Sequence, residues 1–191
     1  GSDYTIGFDT AVNTALEAID KIRDTANSHD RVFFIEVMGR HSGFIAIHSG
    51  IGGGAELVMV PETSTTIQDV IDTLNKGRDK EKTSAIVIVA EGDEQGNAHE
   101  IANKVMEKLP KLDIRVSTLG HLQRGGSPTS LDRILASRLG LAAVEGLING
   151  KTNVMAGIVD DKVVFTSFKL AISKTKPINN ELMRVVDVMN N

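Results

Sequence analysis

Two short segments of this chain are almost continuously apolar, and they constrain its fold more than any other feature. Residues 31–37 read Arg-Val-Phe-Phe-Ile-Glu-Val, and residues 85–90 read Ala-Ile-Val-Ile-Val-Ala. A strand of this composition has no polar face to turn toward water, so other parts of the chain must cover both of its faces. Such strands are typical of parallel sheets that carry helices on both sides.

Amphipathic segments alternate with these strands. Apolar residues recur at helical spacing over residues 12–22, 67–74 and 101–109. Residues 65–66 offer a threonine cap for the second of these helices, and Asn97 is placed to cap the third. The alternation predicts an α/β fold of three layers, with a doubly wound, mainly parallel sheet in the middle.

The rhythm of strands and helices changes in the last third of the chain. Residues 129–150 predict one long helix, and residues 154–165 predict a hairpin. The change near residue 125 is the one candidate domain boundary.

Composition excludes several classes of function. The 191 residues include no cysteine, which excludes disulfide frameworks, thiolate nucleophiles and Cys-ligated metal centres. The formal net charge is −4, which argues against general affinity for nucleic acid or anionic membranes. No apolar run approaches the roughly 20 residues of a membrane helix, and the first five residues do not form a signal peptide. We expect no nucleic-acid or membrane partner.

Polar and glycine-containing segments follow three of the predicted strands, at residues 38–43, 91–93 and 120–128. In an open α/β sheet, ligands bind beyond the carboxyl ends of the strands. The three segments bring the following side chains to that edge: Arg40, His41, Glu91, His121 and Arg124. Each has an ordinary structural explanation when it is taken alone. Together, guanidinium groups suit a phosphate and a carboxylate suits sugar hydroxyls, so this edge predicts a site for a phosphorylated polyol.

Arg31 and Arg115 lie near the starts of their strands, at the opposite edge of the predicted sheet. They are too far from the first cluster to share a ligand with it inside one subunit. Either they are exposed cations, or they belong to an anion site that a second subunit completes across a symmetric interface.

A third group of residues surrounds the glycine run Gly52–Gly54. These glycines form either a tight connection or a backbone nest for phosphate, with Glu56 near enough to hold a divalent ion. Arg23, Lys80 and Lys82 are either ordinary exposed cations or the basic residues of a second nucleotide-phosphate pocket.

Several segments resemble signature segments of the bacterial-type 6-phosphofructokinases. The most specific is residues 118–128, Thr-Leu-Gly-His-Leu-Gln-Arg-Gly-Gly-Ser-Pro, and the others are residues 3–8, 23–26, 37–43 and 132–138. The resemblance covers essentially the whole chain in the family's order. It implies a phosphofructokinase-like fold and a cytoplasmic glycolytic enzyme. This enzyme transfers the γ-phosphoryl group of Mg-ATP to the 1-hydroxyl of fructose 6-phosphate, giving fructose 1,6-bisphosphate.

The resemblance also implies roles for individual residues. His121 and Arg124 would bind the 6-phosphate, Glu91 a sugar hydroxyl, and Arg40 would stabilise charge on the transferred phosphoryl group. The full set of implied substrate-binding residues is Met38, Gly39, Arg40, Glu91, His121, Leu122, Gln123 and Arg124. Arg31 and Arg115 would reach the 6-phosphate of a neighbouring subunit, which implies a homo-oligomer, a tetramer when intact.

The third group resembles the family's allosteric site for ADP, GDP or phosphoenolpyruvate. Its residues are Arg23, Gly54, Ala55, Glu56, Lys80 and Lys82, with Glu56 as a candidate ligand for Mg²⁺. By this resemblance, residues 1–125, completed by a C-terminal segment near 167–191, would form the sugar-phosphate and effector domain of a nearly complete α/β unit. Residues 126–166 would be a remnant of the nucleotide-binding domain.

One departure from the family pattern is large. The family's Thr-Ile-Asp-Asn-Asp segment, whose Asp is the catalytic base, is expected upstream of Gly1, as are most residues that bind ATP and Mg²⁺. We therefore expect the 191-residue chain to be inactive by itself. Two alternatives stay open at this point: a pyrophosphate-dependent phosphofructokinase, and a non-catalytic module that binds sugar phosphates or regulates another protein.

Overall fold

The structure is a computed structural model that describes residues 1–27, 31–173 and 175–189. The chain forms two compact units. The larger unit contains residues 11–125 and 178–191, and the smaller unit contains residues 1–10 and 126–177.

The larger unit is built on a parallel sheet of four strands. The strands are β1 (Val32–Val37), β2 (Leu57–Met59), β3 (Ala85–Ala90) and β4 (Ile114–Thr118). Their order is β2-β3-β1-β4, so β1 pairs with β3 on one side and with β4 on the other. The central strands β1 and β3 are the two nearly continuous apolar segments of the sequence, and the predicted parallel α/β sheet is confirmed.

Successive residues of β1 pack into different cores, one on each face of the sheet. Phe33 and Ile35 pack with helices on one face, whereas Phe34 packs with helices on the other. The helices of the chain are α1 (Phe8–Asn27), α2 (Phe44–Gly52), α3 (Ile67–Asp79), α4 (Ala98–Lys108), α5 (Ser130–Ile148), α6 (Phe168–Ser173) and α7 (Asn180–Met189). Buried residues of α1, α2 and α7 cover the first face, and those of α3 and α4 cover the second. The larger unit therefore has the three predicted layers.

Two helix caps follow directly from the sequence. Thr66 accepts a hydrogen bond from the backbone N–H of Asp69, and Asn97 does the same for Glu100. In both cases the acidic side chain bonds back to the backbone N–H of the capping residue. These reciprocal bonds satisfy N–H groups that a helix leaves without partners in its first turn.

Helix α1 begins earlier than its own sequence suggests. The apolar spacing begins at residue 12 and Asp9 and Thr10 are of a type that caps helices, but the helix starts at Phe8. The carboxylate of Asp132 accepts hydrogen bonds from the backbone N–H groups of Gly7 and Thr10. A carboxylate distant in sequence therefore takes the place of a local cap.

The smaller unit contains α5 and an antiparallel hairpin of β5 (Val154–Val159) and β6 (Lys162–Ser167). Residues 1–10 join this unit, whereas the sequence prediction placed them in the domain 1–125. The backbone N–H of Asp3 donates to the carbonyl of Ile158, which attaches the amino terminus to the hairpin. Residues 167–177 also belong here, since Lys176 donates to the carbonyl of Asp3. Of the expected C-terminal segment, residues 178–191 complete the larger unit.

None of the helices in the described residues combines the length and the apolar character needed to cross a membrane.

Asn97→Ala should lower the free energy of unfolding by about 1 kcal/mol, because the N–H of Glu100 loses its acceptor at the start of α4. Thermal unfolding followed by circular dichroism measures the loss. Asn103→Ala is the matched control, because Asn103 lies in the exposed interior of the same helix, where alanine is the better helix former. Equal destabilisation by the two changes would contradict the assigned cap.

Candidate functional site

The loop after β1 lies between the ends of two other strands. Because the sheet is parallel, the segments that follow β1, β3 and β4 all leave it at the same edge. Residues 38–43 follow β1, residues 91–93 follow β3, and a 3-10 helix, Gly120–Arg124, follows β4. The structure therefore brings together the three polar segments that the sequence assigned to one edge.

Three consecutive backbone N–H groups of this loop are held by side chains from the two flanking segments. The N–H of Met38 donates to Oε1 of Gln123 at 2.7 Å. The N–H groups of Gly39 and Arg40 donate to Oε2 of Glu91, at 3.3 Å and 3.0 Å. The loop is thus tied to the end of β3 on one side and to the end of β4 on the other.

Arg40 adopts a left-handed backbone conformation, with φ +60°. Few residues other than glycine occupy this region, so the surroundings must stabilise it. The Glu91 carboxylate holds the N–H of Arg40, and Gly92 lies against its carbonyl oxygen. A Cβ atom at Gly92 would collide with that oxygen, and Gly92 itself has a φ of +87°. The shape of the Arg40 turn therefore requires glycine at position 92.

The environment of Glu91 favours its ionised form. Hydrogen bonds from the backbone N–H groups of Arg40 and Gly39 lower the pKa of its carboxyl group. The charges of Arg124 and Arg40 act in the same direction, and burial opposes them. Glu91 is therefore a negatively charged acceptor at neutral pH, and two arginines lie near enough for their charges to act on it.

In the 3-10 helix after β4, the position of each residue decides whether its side chain is exposed or buried. In a 3-10 helix residues three apart lie on the same side, so His121 and Arg124 share a face. Both are exposed, as is Leu122, whereas Gln123 is buried and turned toward Met38. This arrangement leaves an imidazole and a guanidinium side by side, which suits an anion such as a phosphate.

Arg31 and Arg115 lie at the opposite edge of the sheet, as the sequence indicated. Asp113 joins them: Nε of Arg31 is 2.8 Å from one carboxylate oxygen and Nε of Arg115 is 3.1 Å from the other. The hydrogen bond from Arg31 and the charges of both arginines lower the pKa of Asp113. Within one chain, Arg31 and Arg115 therefore form a cationic group of their own, apart from Arg40 and Arg124.

The predicted effector residues are brought together only in part. Glu56 accepts a hydrogen bond from the N–H of Ile86 at 2.7 Å and pairs with Nζ of Lys82 at 3.5 Å. Both residues line a cavity of about 360 Å³. Lys80 lies at the C-terminal cap of α3 and does not line this cavity.

The other effector candidates surround the connection between α2 and β2. The guanidinium of Arg23 donates to the carbonyl oxygens of Gly53 and Gly54, at 2.9 Å for the latter, and Gly54 has a φ of +63°. Ala55 is buried and donates its N–H to Gly50. The glycine run is therefore a tight connection that Arg23 stabilises.

Glu56, the candidate ligand for Mg²⁺, has other partners in the structure. Within the described part of the chain, no group of three or more histidine, aspartate or glutamate side chains is placed to hold a metal ion. Glu56 is engaged by Ile86 and Lys82.

Sequence reasoning missed two residues that shape these sites. Glu62 accepts the N–H of Gly43 with both carboxylate oxygens, at 2.9 Å and 3.0 Å, and so holds the far end of the loop. Asp113 joins the two arginines of the opposite edge. Glu62 stands shortly after β2, so the rule that found Glu91, a carboxylate after a strand of the same sheet, could have found it too.

Comparison with known proteins shows the family of this chain. The family model of phosphofructokinase matches residues 1–147. The chain belongs to the phosphofructokinase family.

Among related phosphofructokinases, the chain is 58% identical over 190 residues to the ATP-dependent 6-phosphofructokinase of Cytophaga hutchinsonii. It is 55% identical over 189 residues to the ATP-dependent 6-phosphofructokinase 1 of Thermus thermophilus. These matches cover 100% and 99% of this chain, but the chain spans only 58% of the length of each relative.

Solved phosphofructokinases share the fold. The structure of phosphofructokinase from Saccharomyces cerevisiae matches with a TM-score of 0.83 and 31% identity, covering 99% of this chain and 26% of that one. A pyrophosphate-dependent phosphofructokinase from Nitrosospira multiformis matches with a TM-score of 0.74 and 25% identity, covering 97% of this chain and 54% of that one. The predicted phosphofructokinase-like fold is confirmed.

Glu91→Gln should destabilise this phosphofructokinase chain most near neutral pH. The lowered pKa of Glu91 means that folding favours the carboxylate. Its contribution is complete above the ordinary glutamate pKa of about 4.3 and is lost as the pH falls through the lower pKa of the folded state. The difference in thermal unfolding midpoint between the two proteins, measured from about pH 7 to about pH 3, should therefore shrink.

Glu107→Gln, on the exposed side of α4, is the control for the change in charge. A destabilisation by Glu91→Gln that grows as the pH falls would contradict the role given to the ionised carboxylate.

Proposed function

We propose that this chain forms the sugar-phosphate part of an ATP-dependent 6-phosphofructokinase, which transfers the γ-phosphoryl group of ATP to the 1-hydroxyl of fructose 6-phosphate. The observation that carries the proposal is the meeting of Arg40, Glu91 and Arg124 at the carboxyl edge of the sheet. Two cations beside an ionised carboxylate suit a ligand that combines phosphate with hydroxyl groups.

Each side chain at this edge has a role that its chemistry supports. His121 and Arg124 bind the 6-phosphate from the exposed face of the 3-10 helix. Glu91 accepts a hydrogen bond from a sugar hydroxyl while it holds the loop. Met38, Gly39 and Leu122 line the same site and complete its surface.

Arg40 supplies positive charge where the transferred phosphoryl group develops negative charge. Such stabilisation is most effective when the cation is held in place before the reaction, because no free energy is then spent on reorienting it. The left-handed turn at Arg40 and its bond to Glu91 provide that rigidity. By resemblance to the family, the residue that accepts the hydroxyl proton is expected outside this chain.

ATP is the proposed phosphoryl donor because the relatives that match at 47–58% identity are named ATP-dependent, whereas the pyrophosphate-dependent structure matches at 25%. Mg²⁺ accompanies ATP in this proposal, and the residues that bind the pair are expected outside the described ones. Residues 126–166 would then belong to the nucleotide-binding domain, and the enzyme would act in cytoplasmic glycolysis.

The full-length protein that carries this chain should phosphorylate fructose 6-phosphate much faster with ATP than with pyrophosphate. The 191-residue chain alone should show no turnover, because the proposed proton acceptor is not part of it. A coupled assay that detects fructose 1,6-bisphosphate measures both proteins side by side, with circular dichroism to verify that each is folded. Turnover by the 191-residue chain, or faster reaction with pyrophosphate, would contradict the proposal.

Arg31 and Arg115 are proposed to bind the 6-phosphate of a neighbouring subunit in a homotetramer. Asp113 aligns both guanidinium groups at the edge opposite to the sugar-phosphate site. Within one chain, Arg31 and Arg115 are at the wrong edge of the sheet to contact a ligand bound at the carboxyl ends of the strands. In a symmetric oligomer, a neighbouring subunit could place its own sugar-phosphate site against them.

Arg31→Ala and Arg115→Ala in the full-length protein should each weaken fructose 6-phosphate binding about 10- to 100-fold, since each removes a charge-assisted hydrogen bond. Isothermal titration calorimetry measures the affinity, and Arg184→Ala, an exposed arginine of α7, is the control. Unchanged affinity in both variants, or a monomeric full-length protein by sedimentation, would contradict the shared site.

The cavity beside Glu56 and Lys82 is the proposed location of an allosteric site for ADP, GDP or phosphoenolpyruvate. Lys82 offers a cation to a phosphate, and the salt bridge of Lys82 with Glu56 would have to rearrange for that ligand to bind. The other residues that the resemblance assigns to this site, Arg23, Gly54, Ala55 and Lys80, do not line the cavity.

A further inference from the structure

Gln123 differs from its neighbours in the segment after β4. It is 2% exposed, whereas Leu122 beside it is 71% exposed, and His121 and Arg124 are exposed as well. Its side chain therefore lies inside the protein, away from the face proposed to bind the 6-phosphate. A role as a direct ligand of the substrate does not fit this burial.

The amide group of Gln123 is used on one side only. Its Oε1 atom accepts the N–H of Met38 at 2.7 Å. The opposite orientation of the amide would place two donors against each other, so the hydrogen bond itself determines which atom faces Met38. Its Nε2 atom is buried and has no hydrogen-bond partner, the only such side-chain atom among the described residues. Of the two polar atoms of the amide, only Oε1 therefore forms a hydrogen bond in the structure.

That acceptor holds the first of the three N–H groups at the start of the Arg40 loop. Glu91, from the end of β3, holds the next two. Without Gln123, this part of the loop would be tied to the β3 side alone, and Met38 would keep a backbone N–H without its acceptor. The left-handed conformation of Arg40 follows directly after this clamp.

We propose that Gln123 is a positioning residue: it places Arg40 for phosphoryl transfer through the backbone of Met38, without contacting the substrate. The proposal rests on the proposed kinase function and replaces the direct substrate contact that the sequence suggested for Gln123. Gln123 links the segment that carries His121 and Arg124 to the loop that carries Arg40. The position of Arg40 relative to His121 and Arg124 is thereby fixed.

Two variants of the full-length protein separate the acceptor from the rest of the side chain. Gln123→Met keeps the length of the side chain and removes the acceptor. It should lower kcat about 10- to 100-fold, because a small displacement of a catalytic group is enough for such a loss. The KM for ATP should not change. Gln123→Glu keeps an acceptor facing Met38 and should recover most of kcat.

Gln68→Met is the matched control, since Gln68 is an exposed residue of α3, in a different part of the larger unit. Unchanged kcat in Gln123→Met would overturn the proposal. So would equal loss of kcat in Gln123→Met and Gln123→Glu. If Gln123→Met does not fold, Gln123→Asn, which withdraws the acceptor from Met38 by shortening the side chain, provides the same test.

Hydrogen–deuterium exchange of residues 38–40 tests the clamp without relying on activity. Uptake should be faster in Gln123→Met than in the unchanged protein, Gln123→Glu or Gln68→Met. Equal uptake in all four would overturn the proposal. If the unchanged full-length protein fails to phosphorylate fructose 6-phosphate, the proposed function is wrong, and the exchange result still decides whether Gln123 positions the loop.

Discussion

The burial of β1 on both faces is the constraint on which the larger unit depends. Phe33 and Ile35 enter one core and Phe34 enters the other, so the strand cannot be exposed on either side without loss of apolar contacts. With β3 and β4 paired to its two edges, β1 is also enclosed within the plane of the sheet. The loop that follows it must therefore emerge between two other strand ends, and the candidate site forms there.

The backbone of that loop needs acceptors that no regular element supplies. Residues 38–40 have left the sheet and α2 has not begun, so their N–H groups are satisfied by side chains from Glu91 and Gln123. Glu62 does the same for Gly43 at the start of α2. A requirement of ordinary hydrogen bonding thus ties the loop to the ends of all three other strands. The same bonds hold Arg40 in a conformation that few non-glycine residues adopt.

Residues of the candidate site differ in how well the sequence could predict them. Arg40, Glu91 and Arg124 follow strands of a predictable parallel sheet, and the edge where they meet follows from that sheet alone. Gln123 acts through the backbone N–H of Met38, 85 residues away in sequence, and no local pattern specifies such a partner. The start of α1 is a similar case, because its acceptor, Asp132, lies more than a hundred residues further along the chain.

The sequence by itself determined the parallel α/β sheet, the helices with local caps at Thr66 and Asn97, and the edge at which polar residues gather. These features depend on apolar periodicity and on hydrogen bonds between residues close in sequence. Only the tertiary structure decided that residues 1–10 join the hairpin of the smaller unit, that Asp113 pairs with both arginines, and that Gln123 faces inward. The first depends on the backbone hydrogen bond from Asp3 to Ile158, the second on two ion pairs, and the third on the hydrogen bond from the N–H of Met38. All of them join residues that only the fold brings together, so no repeating pattern of the chain predicts them.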